Sequence, residues 1–87
     1  AAREAVSIRG VNASFVIGRS SEKSIRISAR SDGTVNCQFL MEKLNGGGHF
    51  NAAASEFQNE TITSVYEKLI HILDEYLQDA RKTTNSK

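Results

Sequence analysis

Ser24-Ile25-Arg26-Ile27-Ser28-Ala29-Arg30-Ser31 alternates apolar and polar residues, and its reading decides the fold. Ile25, Ile27 and Ala29 fall on one side of an extended chain, with Ser24, Arg26, Ser28 and Arg30 on the other. A period of two predicts a strand with one buried and one polar face. Asp32-Gly33 then turns the chain. Beyond the turn the period changes: Cys37, Leu40, Met41 and Leu44 recur at i, i+3, i+4 and i+7, the apolar stripe of a helix. Asn36 is a good N-cap, and Val35 before it can pack on Leu40 as a hydrophobic staple. Phe39 falls off the stripe and predicts a different neighbour. Asn45-Gly46 stops the helix, with glycine expected to supply the left-handed conformation.

Working outward toward the N-terminus, Ala13 to Arg19 is a short apolar run that reads as a strand covered on both faces. Ser20-Ser21-Glu22-Lys23 supplies the connecting turn. Residues 1–10 mix helix formers with Val6 and Ile8 before Gly10, and read as the end of a linking helix from upstream. Toward the C-terminus, the alanines of Phe50–Gln58 favour helix, but length and position favour a third strand. Thr61 or Thr63 caps a last helix running to about Lys82, with the stripe Ile62, Val65, Leu69, Ile72, Leu73, Tyr76, Leu77 and Ala80. Residues 83–87 read as a flexible tail. The expected order is (α)-β-β-α-β-α. This is an α+β domain over residues 11–82, a small mixed β-sheet with two amphipathic helices on one face.

Composition narrows the function classes. The chain has 87 residues, enough for one small domain with a modest core. Eleven Lys/Arg meet ten Asp/Glu, a net charge of +1, so anion binding must come from local arrangement. A single cysteine excludes an intrachain disulfide and fits a reducing compartment, with the cytoplasm as the default. No apolar run approaches the roughly 20 residues of a membrane helix. The chain opens without methionine and without a signal segment, which suggests a piece of something longer.

Two groups of residues carry candidate chemistry. Gly46-Gly47-Gly48-His49 puts three glycines in succession, which weakens ordered backbone and suggests close approach by a ligand. Successive free N–H groups form a concave anion site, to which a protonated His49 would add a charge-assisted bond. No Lys-Ser/Thr follows, so this is not a Walker loop, and the spacing is not that of a dinucleotide fingerprint. The alternative is a helix stop followed by a surface histidine. The second group is the polar strand face Arg26, Ser28 and Arg30, whose same-face spacing of roughly 7 Å suits phosphate groups; its alternative is a solvated outer face. Cys37 and Met41 read as core, and His71 as a surface residue opposite the last helix's apolar stripe. The chain shows no clustered carboxylates and no set of metal-ligating or nucleophilic residues, so the chemistry is expected elsewhere.

Ile27-Ser28-Ala29-Arg30-Ser31, then a helix, then Gly46-Gly47-Gly48-His49-Phe50-Asn51-Ala52-Ala53 resembles the DHH-associated domain of DHH-family phosphoesterases. That group includes exonucleases of the RecJ type, oligoribonucleases and cyclic-di-AMP phosphodiesterases. The resemblance runs from about Val11 to the last helix. The longer string through Ala52-Ala53-Ala54-Ser55 is similar to one branch, the membrane-anchored cyclic-di-AMP phosphodiesterases of Gram-positive bacteria. Many relatives carry glycine where this chain has Ala54.

The resemblance implies upstream transmembrane helices, a PAS domain, a degenerate GGDEF domain and a catalytic DHH domain holding two Mn²⁺ ions. No metal or other cofactor is expected in this chain. The parent would be membrane-anchored with this domain on the cytoplasmic side, making no membrane contact itself. Carried over by position, Gly46, Gly47, Gly48 and His49 would contact phosphate and nucleotide, with Ser28, Arg30 and Asn51 beside them. His49 and Arg30 would add charge stabilisation, while the chain alone would be inactive. The expected partners are a dinucleotide or short oligonucleotide and the DHH domain, with homodimerisation through the parent. Within the family the alternative substrate is short RNA or single-stranded DNA. Outside it, the alternative is a non-catalytic interaction module.

Overall fold

The computed structural model describes residues 3–7 and 12–85, with side chains within 5–7 and 12–79. Its elements run β1 (Arg3–Ser7), β2 (Ala13–Arg19), β3 (Ser24–Ser31), α1 (Cys37–Lys43), β4 (Gly47–Gly48), β5 (Ala52–Gln58) and α2 (Ile62–Asn85). The strands form one sheet in the order β1-β2-β3-β5-β4.

The alternation of β3 is realised from Ile25 to Arg30, whereas Ser24, expected on the polar open face, is buried because the Ser20 and Ser21 hydroxyls close over its own at 2.9 and 2.5 Å. Ile25, Ile27 and Ala29 are buried, Arg26 and Arg30 are exposed, and Ser28 is half-buried. Around them Phe15, Ile17, Leu40, Met41, Val65 and Leu69 close a core between the sheet and both helices. Asn36 caps α1 by accepting the Phe39 N–H at 3.0 Å. Thr61 is the residue that caps α2, its hydroxyl accepting the Ser64 N–H at 3.0 Å. The α2 stripe buries Val65, Leu69, Ile72 and Leu73, while Ile62 and Tyr76 pack against the core from its margin. Tyr76 accepts the Asn36 N–H at 3.2 Å, tying α2 to the start of α1. Its ring also meets that of Phe39, centroids 6.0 Å apart, so Phe39 does find a separate partner.

Four other expectations need correction. Arg3–Ser7, read as part of a linking helix, is a strand paired antiparallel to β2. Pairing there satisfies the backbone along β2 and places Val6 opposite Phe15, against the core. Residues 1–2 and 8–10 of that segment lie outside the described residues. Second, β2 is covered on one face only: Ala13, Phe15 and Ile17 are buried, whereas Ser14 is exposed and Val16 only half-buried.

Third, every strand pairing described is antiparallel, so the sheet is not mixed. After α1 the chain enters the two-residue strand β4 and reverses through a tight hairpin, which brings β5 back against β3 in the opposite sense. Fourth, α2 continues to Asn85, into the stretch 83–87 expected as a tail; residues 86 and 87 lie outside the described residues.

Candidate functional site

The face of the sheet away from the helices is organised in rows that cross the strands. Ser7, Ser14, Arg30 and Ala52 are successive direct partners on β1, β2, β3 and β5. His49 exchanges both backbone bonds with Ala52: its N–H donates at 2.7 Å and its carbonyl accepts at 3.3 Å. Residues so paired stand directly opposite and share a face. One row therefore reads Ser7, Ser14, Arg30, Ala52, His49. The next reads Ala5, Val16, Ser28, Ala54, Gly47, and a third Gly18, Arg26, Glu56.

The sequence-predicted residues Ser28, Arg30, Gly47 and His49 thus come together in two adjacent rows. Only Ala52 and Ala54 stand between them. With strands about 4.8 Å apart, two methyl groups floor a trough about 10 Å across from β3 to β4. Ala54 is part of that floor. Arg30 forms one wall. Its Nη1 donates to the carbonyl of Ala29 at 3.1 Å, and among the described residues it makes no ion pair with a carboxylate.

The three glycines divide by cause. A Cβ on Gly46 would overlap the Ala54 carbonyl oxygen and stand 2.7 Å from the Ser55 Cα. A Cβ on Gly48 would lie 2.5 Å from the Ala53 Cα, and its φ of 146° is itself unfavourable for any side chain. Both are needed so that β4 can lie against β5. Gly47 has an ordinary φ and nothing within 4 Å of an added Cβ. Packing does not require glycine there, and it faces the trough. The left-handed residue that ends α1 is Asn45, at φ 65°, and not Gly46 as expected.

The expected run of free N–H groups is also displaced. The Gly46 N–H donates to Met41 O at 2.7 Å, and that of His49 to Ala52 O. Because His49 and Ala52 form a bonded pair, alternation turns the Gly48 N–H outward along the sheet edge. The N–H groups of Phe50 and Asn51, at the hairpin tip, meet no acceptor among the described residues. The donors left over therefore flank His49 instead of preceding it.

The tip is well anchored. The carbonyl of Phe50 accepts the Cys37 N–H and that of Asn51 accepts the Ser31 N–H, each at 2.9 Å. The Ser55 hydroxyl, buried, donates to Leu44 O at 2.5 Å and fastens the end of α1 to β5. Asn51 stands apart from the other predicted site residues. Its register is that of the opposite face, and its side-chain oxygen lies against Gly33, 3.9 Å from where a Cβ would stand.

Cys37 is fully buried, and burial pushes its thiol pKa up, with the positive charge of Arg30 acting the other way. It behaves as a core residue, as does Met41. His71 is exposed and pairs with Glu75 one turn on, at 3.4 Å. Among the described residues no three His, Cys, Asp or Glu side chains gather as a metal ion would need.

Two further features of the open face, outside the trough, escaped the sequence. Glu56 stands opposite Arg26 and accepts from the Ser20 hydroxyl at 2.6 Å, bordering a hollow shared with Asn45 and Gly46. Ser7 and Ser14 extend the Arg30 row across β1 and β2. The period-two signal for Ser14 was present, but the apolar run around it masked the open face.

The family model described as the DHHA1 domain matches residues 1–79. The chain is 42% identical over 78 residues to the cyclic-di-AMP phosphodiesterase GdpP of Bacillus subtilis, covering 90% of this chain and 12% of that protein. It is 47% identical over 76 residues to the cyclic-di-AMP phosphodiesterase PdeA of Listeria monocytogenes, covering 87% and 12%. The bifunctional oligoribonuclease and PAP phosphatase NrnA of Thermus thermophilus is 34% identical over 62 residues, covering 71% and 19%. The chain thus spans less than a fifth of the length of these relatives.

Proposed function

The chain belongs to the DHHA1 domain family, and on that premise we propose that it is the substrate-gripping domain of a phosphodiesterase that opens cyclic-di-AMP to linear pApA. The observation that carries this reading is Gly47, whose missing side chain no packing explains, facing one trough with Ser28, Arg30 and His49. A phosphate seated over Ala52 and Ala54 would meet the Arg30 guanidinium and Ser28 hydroxyl from one side. From the other it would meet the His49 imidazole and the close backbone of Gly47. Such a trough holds and orients a phosphodiester, and it adds charge stabilisation as negative charge grows on phosphorus oxygens.

Bond cleavage belongs, in this reading, to a DHH domain elsewhere in the parent, where two Mn²⁺ ions would supply the activated water. The parent would be anchored in the membrane with this domain on the cytoplasmic side; no described helix is long and apolar enough to cross one. The likeness to the oligoribonuclease NrnA favours short RNA as the second reading of the same trough.

NMR titration of the chain with pApA and with AMP tests the proposal. Amide shifts concentrated at residues 28–30 and 47–51 are expected. Their absence up to millimolar ligand would favour a non-catalytic interaction module. Stronger shifts with a short RNA than with pApA would favour the second reading.

A further inference from the structure

We propose that the binding face continues past Arg30 onto β2 and β1, and that the hollow there seats the ribose and phosphate of a second nucleotide. The inference rests on the substrate-gripping reading above and adds residues to it. Ser7, Asn12, Ser14, Arg30, Ser31 and Asp32 line a hollow of about 560 Å³ at the end of the sheet where β1, β2 and β3 meet. It is larger than the hollow bordered by Arg26 and Glu56, and Arg30 stands between it and the trough.

The row geometry makes the two regions continuous. Ser7, Ser14, Arg30, Ala52 and His49 face the same way across five strands, a track about 19 Å long between backbones. A single phosphate needs only the His49 half of that track. The hollow beyond it has a different chemistry: three hydroxyls, a carboxamide and a carboxylate beside one guanidinium.

That set suits a sugar phosphate better than a bare anion. Asp32 would repel a lone phosphate, but its carboxylate can accept from ribose hydroxyls while Arg30 takes the phosphate oxygens. The carboxylate is already positioned: Oδ2 accepts from Asn12 at 2.8 Å, and Oδ1 accepts from the N–H and hydroxyl of Thr34 at 3.1 and 2.9 Å. These bonds hold its pKa below the ordinary value, the one from Asn12 most, so Asp32 is ionised at neutral pH. Ser7 and Ser14 are exposed, and no hydrogen bond from either hydroxyl is made to the described residues.

The test compares AMP with pApA on the same chain. With pApA the amides of Ser7, Asn12 and Ser14 should shift together with residues 28–30 and 47–51; with AMP only the latter should move. Ser14→Val should weaken pApA about three- to tenfold and leave AMP unchanged, while Ser14→Thr, which keeps the hydroxyl, should retain both affinities. Ser14→Val acting equally on AMP and pApA, or on neither, would overturn the second subsite, as would pApA shifts that stop at Arg30. Failure of both ligands to shift residues 28–30 and 47–51 in the unaltered chain would instead defeat the underlying reading, and this inference with it.

Discussion

The two faces of the sheet obey different rules. On the helix side, each inward residue of β2, β3 and β5 from Phe15 to Phe57 has a packing reason for its identity, and most have no exposed surface at all. On the open side, the first two rows hold three alanines, three serines, a valine, an arginine, a histidine and a glycine, none of which belongs to the core. The glycine run passes from one regime to the other within three residues. Gly46 and Gly48 are glycine because β5 is too close for a side chain; Gly47 is glycine with empty space in front of it. The difference separates residues that build the domain from residues kept for something outside it.

Gly46→Ala should break the fold side of that contrast most severely. The new methyl would overlap backbone atoms of β5, which cannot rotate away as a side-chain tip could. We expect a loss of about 3 kcal/mol, and a fall in Tm of roughly 12–24 °C in thermal unfolding. A variant as stable as the original would mean that β4 is not held against β5 as described.

Local periodicity explains what the sequence disclosed. The alternation in β3, the four-residue stripe of α1 and the longer stripe of α2 each carry their own register, so their faces could be assigned without the rest of the chain. β1 carries no such signal. Ala5, Val6 and Ser7 suit either helix or strand, and the choice is made by pairing with β2, a partner outside the segment. β4 is harder still, because glycines have no strand preference and only register with Ala53 and Ala54 makes them a strand. The antiparallel sense of β5 depends on that hairpin.

The site follows the same division. Ser28, Arg30, Gly47 and His49 were legible as chemistry and the resemblance set them side by side, but the intervening floor of Ala52 and Ala54 was not legible, since it requires the register of three strands. Ser14 was hidden within an apolar run, and Ser7 within a segment read as helix. Asn45 and Gly46 exchanged roles because αL geometry and close approach both favour glycine, and only the fold around β5 tells them apart.

A smaller effect sharpens the edge of the open face. The pKa of Asp32 is lowered chiefly by the hydrogen bond from Asn12, so the stability it contributes is present above its unfolded pKa. It is lost as pH falls through the folded value. NMR titration should find Asp32 ionising below an ordinary aspartate, and Asn12→Ala should move it upward toward that value. An unmoved titration would show that Asn12 does not hold the carboxylate.

Gly47→Ala tests the central claim most directly, with unfolding and pApA binding measured on the same sample. Stability should stay within about 0.5 kcal/mol of the original, because nothing lies near the added methyl. Affinity for pApA should fall about tenfold or more, because the methyl stands in the trough where phosphate would approach the backbone. Undiminished affinity in a folded Gly47→Ala chain would contradict the account, and so would a loss of binding that only accompanies unfolding.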